Sequence, residues 1–217
     1  MAKRITVLLS GRGTNLAALL AAMDKGALGG EINRVIANVP DAPGLALARA
    51  HGVEAMALDH RDFPTRDAFD VELALVVDAA RPDVVVMAGF MRVLGESFVR
   101  RYSARLINVH PSLLPLYPGL HTHRRALADG AHVHGCTVHF VTTEVDGGPI
   151  IAQAAVPVLD DDDEASLAAR VLVQEHVLLP AAVRWFCEDR LVIVGRRVRV
   201  NGVAQAAGSA ALRVPPA

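Results

Sequence analysis

Two short runs of aliphatic residues limit the folds open to this 217-residue chain. Ile5-Thr6-Val7-Leu8-Leu9 and Val84-Val85-Val86-Met87-Ala88 lack the in-out alternation of a half-solvated strand. A strand that is apolar on both sides is covered on both faces, as in a parallel sheet. The residues between and after these runs have helical spacing. Leu16, Leu19, Leu20 and Met23 share one helical face. Leu45 to His51 predicts a helix stopped by Gly52, and Thr65 to Ala80 an amphipathic helix that ends before Arg81-Pro82. Glu96 to Tyr102 predicts a fourth, and further strands are expected at residues 35–37, 53–58 and 105–108. Strands alternating with helices imply right-handed βαβ units. The predicted class is therefore α/β, a doubly wound and mostly parallel sheet through about residue 110.

The character changes after that point. Val109 to Thr122 carries three prolines and a glycine and predicts a long irregular loop, a kind of segment that is usually functional. Residues 135–141 and 149–158 predict two antiparallel strands joined across Asp146-Gly147-Gly148. The acidic run Asp160 to Glu164 favours the N-terminus of a long helix from Ala165 to Glu188. A hairpin around Gly195-Arg196 follows. The expected organisation is one domain over 1–200, with halves at 1–108 and 109–190 and a flexible tail at 201–217.

Composition narrows the function. Hydrophobic residues at 52% and charged residues at 21% allow a substantial core, and aromatics at 4% leave that core to aliphatic side chains. A net charge of −1 gives no basic face for a nucleic acid. Cys136 and Cys187 are isolated and make neither a disulfide framework nor a metal pair. The N-terminal apolar run is too short for a signal core, and no run approaches the ~18 apolar residues of a membrane span. The expectation is a cytoplasmic, reduced protein without a membrane partner.

Three segments carry chemistry. Ser10-Gly11-Arg12-Gly13-Thr14-Asn15 joins a strand to a helix, where backbone N–H groups and the helix dipole favour an anion. It reads as a phosphate-ester cradle, a dinucleotide turn or a plain tight turn. The dinucleotide pattern wants a third glycine where Leu16 stands and an acid near Asn38, which favours the phosphate ester. Asn108 and His110 lie at the carboxyl end of a strand and, two residues apart, point the same way. An amide donor and an imidazole at one point suit acyl transfer, which needs oxyanion donors and a proton carrier. Asp146-Gly147-Gly148-Pro149 is a turn whose carboxylate would favour a charged His110 if the two meet. His110, His121 and His123 lack the ligand spacing of a zinc site, so no metal is expected. His139 reads equally as a core-edge histidine or a site wall.

Together these segments, with Ala88 to Leu94, Tyr117-Pro118-Gly119-Leu120-His121-Thr122-His123 and Gln174-Glu175-His176, resemble the phosphoribosylglycinamide formyltransferase family over about residues 4–190. The resemblance implies 10-formyltetrahydrofolate as co-substrate, purine synthesis as the setting, and small-molecule substrates bound by a monomer or homodimer. It implies that Gly13, Thr14 and Asn15 hold the acceptor phosphate and Glu175 its ribose or glycinamide end. It implies Met91, Arg92, Val93, Leu94, Asn108, Thr142, Thr143, Glu144, Val145 and Asp146 around the folate, with Arg66 on its tail. The catalytic set would be Asn108, His110 and Asp146. Residues 1–108 become a phosphate-binding half and 109–190 a folate-binding and catalytic half. Leu116 and Leu172 depart from the family's usual basic and polar residues and bear on acceptor contacts. Rival expectations are a formyltetrahydrofolate deformylase, which carries an extra N-terminal domain, a tRNA-directed formyltransferase, which needs a basic C-terminal domain, and a nicotinamide oxidoreductase.

Overall fold

Residues 2–202 are described by a computed structural model. The first half runs β1 (Lys3–Leu9), α1 (Thr14–Asp24), β2 (Gly30–Ala37), α2 (Pro43–Ala50), β3 (Glu54–Ala57), α3 (Arg66–Ala79), β4 (Val84–Met87), α4 (Glu96–Arg101) and β5 (Leu106–His110). The second half adds α5 (Thr122–Ala128), β6 (Val133–Phe140), β7 (Ile150–Pro157), α6 (Glu164–Cys187) and the hairpin β8 (Leu191–Val194) and β9 (Arg197–Val200). All strands join one sheet in the order β3-β2-β1-β4-β5-β6-β7-β9-β8. The first five are parallel, β6 and β7 are antiparallel, and β9 returns parallel to β7. The doubly wound class expected from the sequence is the one found.

Alternation within the buried strands explains the two covered faces. Ile5, Val7, Leu9, Val84 and Val86 pack with Leu16, Leu19 and Leu20 of α1, Leu45 of α2 and Leu179 and Val183 of α6. Leu8, Val85 and Met87 point the other way and pack with Phe69, Leu73 and Val77 of α3 and Phe98 of α4. The winding direction reverses between β1 and β4, so their carboxyl ends leave a crevice there. The turn after β1 and the segment after β4 both open onto it.

The second half corrects two expectations. β5 continues through His110 because Val109 and His110 pair with Val138 and Thr137 of β6, so the irregular loop begins later. Within the stretch after it, Thr122–Ala128 forms α5, which the proline-rich pattern masked. It has seven residues, and its N-cap His121 is left-handed with no side-chain cap bond, so the usual start signal is missing. α6 starts as the acidic run predicts: Asp163 accepts from the Ser166 backbone N–H in a capping box. α6 is long and apolar enough by composition to cross a membrane. Here Leu167, Val171, Leu179, Ala182 and Val183 are fully buried within the fold. Of the expected tail at 201–217, residues 203–217 lie outside the described residues.

Candidate active site

The end of β5 delivers Asn108 and His110 to one wall of a cavity of about 510 Å³. The loop after β6 supplies the facing residues. Asp146 adopts a left-handed backbone (φ 52°), and the turn it makes aims its carboxylate back at β5. Its Oδ2 lies 3.4 Å from His110 Nδ1 and accepts the Gly119 backbone N–H at 2.8 Å. The other His110 nitrogen, Nε2, lies 2.9 Å from the Tyr117 carbonyl oxygen. Each ring nitrogen thus faces an oxygen, and the ring is itself buried. The conditional juxtaposition of Asp146 with His110 is met, across 36 residues of sequence that fold into α5 and β6.

The rest of the cavity is mainly apolar, with Met87, Phe90, Leu94, Val99 and Val141 in its lining. Of the residues implied to surround a folate, Met91, Arg92, Val93, Leu94, Asn108, Thr142, Thr143, Val145 and Asp146 line it. Arg66 and Glu144 do not. Arg66 stands exposed at the start of α3 with Nε 3.8 Å from Asp67, and Glu144 packs beneath Gly147, whose missing Cβ would lie 2.3 Å from the Glu144 carboxyl carbon. Sequence reasoning passed over Tyr117, whose carbonyl meets His110, and treated Leu120, His121 and Glu164 only in passing, though all three line the cavity. His134 is buried on β6, its Nε2 3.2 Å from His123 Nδ1. Burial pushes the His134 pKa down to about 4 and lowers that of His123.

The residues expected to hold the acceptor form a second locus. Gly13 is the left-handed N-cap of α1 (φ 77°), with no side-chain cap bond. Asn15, nearly buried, donates from Nδ2 to Glu175 Oε2 at 2.7 Å. Asn15 Oδ1 is buried without a partner among the described residues. Burial raises the Glu175 pKa, and the Asn15 hydrogen bond and the nearby His176 and His110 pull it more weakly the other way. Glu175 therefore lies within electrostatic reach of His110. Ser10 ties the two loci together: its hydroxyl accepts the Met91 backbone N–H at 2.7 Å and donates to Asn38 Oδ1 at 2.5 Å. Asn38, at the position where a dinucleotide site wants an acid, spends its amide on Ser10 and His60.

Two outcomes follow locally. Asp146→Asn keeps a residue tolerant of the left-handed backbone but removes the charge beside His110, so turnover falls by roughly 10²-fold with little change in melting temperature. Steady-state kinetics beside a thermal melt checks this; unchanged turnover reduces Asp146 to a turn residue. In Gly13→Ala, the new Cβ meets Gly44 Cα at 2.8 Å and the backbone must shift. The acceptor KM rises by roughly tenfold, equivalent to ~1.4 kcal/mol, while folate affinity holds. Equal KM values show that the turn does not touch the acceptor.

Comparison with known proteins now decides the family. The formyl transferase family pattern matches residues 3–183. The chain belongs to this formyl transferase family. It is 50% identical over 187 residues to a phosphoribosylglycinamide formyltransferase of Escherichia coli (strain K12), covering 86% of this chain and 88% of that one. A trifunctional purine biosynthetic protein adenosine-3 of Drosophila melanogaster is 49% identical over 183 residues, which are 83% of this chain but 14% of that protein. The glycinamide ribonucleotide transformylase 1 structure from Symbiobacterium toebii superposes with a TM-score of 0.90 at 49% identity, covering 92% of this formyl transferase and 94% of that chain. A formyltetrahydrofolate deformylase from Pseudomonas syringae shares the fold at a TM-score of 0.86 and 27% identity, over 92% of this chain and 66% of that one. The family resemblance inferred from the motifs is therefore the correct one.

Proposed function

We propose that this formyl transferase moves the formyl group of 10-formyltetrahydrofolate onto the free amine of 5-phosphoribosylglycinamide, giving the N-formyl product and tetrahydrofolate in purine synthesis. The observation that carries the reading is the convergence of Asn108, His110 and Asp146 on an apolar cavity, with the Asn15–Glu175 pair within electrostatic reach.

The amine nitrogen attacks the formyl carbon, and the carbonyl oxygen gains negative charge. Asn108 donates to that oxygen and the positive charge of His110 stabilises it through space, in a cavity whose apolar walls strengthen both interactions. The Asp146 carboxylate faces the charged ring and holds it in place. The new C–N bond forms on the acceptor, the C–N bond to folate breaks, and a water carries the acceptor's proton to the leaving folate nitrogen. The nucleophile is the substrate's own amine, so no covalent enzyme intermediate and no metal enters the scheme. The backbone of Met91 to Leu94 and the 142–146 loop bracket the pterin, and Arg66 meets the folate tail. Gly13, Thr14 and Asn15 cradle the acceptor phosphate, and Glu175 its ribose or glycinamide end. Residues 1–108 then supply phosphate binding and 109–190 folate binding and catalysis, in a cytoplasmic monomer or homodimer.

An absorbance assay of folate deformylation, run with and without the ribonucleotide, tests the reaction. Loss of the formyl group should require the acceptor, and an acceptor without its 5′-phosphate should react poorly. Rapid formate release from the folate alone overturns transfer and selects the deformylase reaction. Equal rates for phosphorylated and dephosphorylated acceptors remove the phosphate role from residues 13–15.

A further inference from the structure

In the antiparallel register of β5 and β6, His139 stands opposite Asn108. The ring is 1% exposed yet contributes to the catalytic cavity. Its Nδ1 lies 2.9 Å from the Phe140 carbonyl oxygen. A carbonyl only accepts, so the hydrogen of the pair must sit on Nδ1. Burial holds the His139 pKa below the ordinary value, which leaves the ring neutral at physiological pH. A neutral imidazole with its hydrogen on Nδ1 presents a bare lone pair at Nε2. That Nε2 is 3.3 Å from Asn108 Nδ2.

We infer, on the formyl-transfer reading above, that His139 is a positioning residue that fixes the Asn108 carboxamide with its nitrogen turned toward the ring. The lone pair attracts an amide N–H and repels the amide oxygen, so one of the two amide orientations is selected. One Asn108 N–H is then spent on His139, and the other remains for the formyl oxygen. The direction of the catalytic donor is thus set by the Phe140 carbonyl, relayed through one imidazole. Asp146 alone would favour a charged ring, though burial outweighs it. Its Oδ1 is 3.7 Å from the same Nε2, while its Oδ2 is 3.4 Å from His110. A proton on Nε2 would turn from Asn108 toward Asp146, removing the amide's acceptor and dividing the carboxylate between two rings. His110 opposes that proton by its own charge. His139 therefore keeps Asn108 oriented and leaves Asp146 to His110.

The test begins with nitrogen-15 NMR of histidine-labelled full-length protein without substrates, with the His139 resonances assigned by their loss in His139→Gln. The expected signature is a protonated Nδ1 and an unprotonated Nε2 across neutral pH. Kinetics supplies the second arm. His139→Leu removes the acceptor and should lower kcat by roughly 10²-fold with folate affinity within about threefold. His139→Gln places an amide oxygen near the Nε2 position and should restore most of that loss. A protonated Nε2, or His139→Leu turnover near wild type, overturns the inference. The NMR arm uses the wild-type chain, so it decides the tautomer even if the leucine variant does not fold. Wild-type protein that transfers no formyl group at all would instead overturn the proposed reaction, with the tautomer measurement still standing.

Discussion

His110→Ala lowers turnover by roughly 10²- to 10³-fold, and Asn108→Ala does the same, while folate affinity changes by less than about threefold. On the proposed reaction both side chains act where charge develops, and that charge is absent from the bound ground state. Losing either therefore raises the barrier more than it weakens binding. The pocket wall is mainly aliphatic and aromatic, so folate retains most of its contact surface in both variants. The double variant should cost less than the product of the two single effects, because both side chains act on one oxygen and Asp146 is already coupled to His110 at 3.4 Å. Steady-state kcat together with folate titration in the absence of acceptor separates the two quantities. Turnover near wild type in either single variant removes that residue from the chemistry. A parallel loss of folate affinity would make it a binding residue.

How much of this was legible depends on how far apart the partners stand in sequence. β4 was legible because Val84 to Met87 are all buried, and an uninterrupted aliphatic run has few other fates. The Asn108–His110 pair was legible because two residues apart on a strand is a local geometry. The start of α6 was legible from Asp163 and Ser166, a signal contained in four residues. The Asn15–Glu175 hydrogen bond spans 160 residues, and nothing local to either residue announces it. Its existence depends on α6 packing beside α1, a consequence of the whole sheet order. The length of β5 was misjudged for the same reason, since its last two residues are held by β6 rather than by their own propensity. Sequence left His139 equally a core-edge histidine or a site wall, because its role depends on which acceptor each ring nitrogen meets. The period-two alternation of β6 carried a weak hint, placing His139 on one face with Cys136 and Val138 on the other only if the register with β5 is known.

The second large effect is at Glu175, where function and stability should move in opposite directions. Glu175→Gln should raise the acceptor KM by roughly 10- to 100-fold, leave folate affinity unchanged, and raise the melting temperature of the free protein at neutral pH. The carboxylate is almost fully buried, and burial raises its pKa above the ordinary 4.5. Between the ordinary and the raised value the folded state binds more protons than the unfolded state. Stability therefore falls as pH rises through that window, and the penalty is fully present above it. Glutamine never ionises and keeps an oxygen for the Asn15 Nδ2 donor, so it removes the penalty without leaving that donor bare. The gain in melting temperature should shrink as pH drops below the ordinary carboxylate range, where the wild-type side chain is protonated in both states. The acceptor loses a charged partner for its ribose hydroxyls or amine, and remote contacts of that kind position the nucleophile for attack. On the proposed reaction, water and an amine need the same oxyanion chemistry from Asn108 and His110, so this locus would be what separates transfer from hydrolysis. Melting curves from pH 4 to 8 and acceptor kinetics check both halves. A variant with wild-type acceptor KM shows that Glu175 does not reach the substrate, and one that melts lower at neutral pH shows that its charge is paired rather than merely buried.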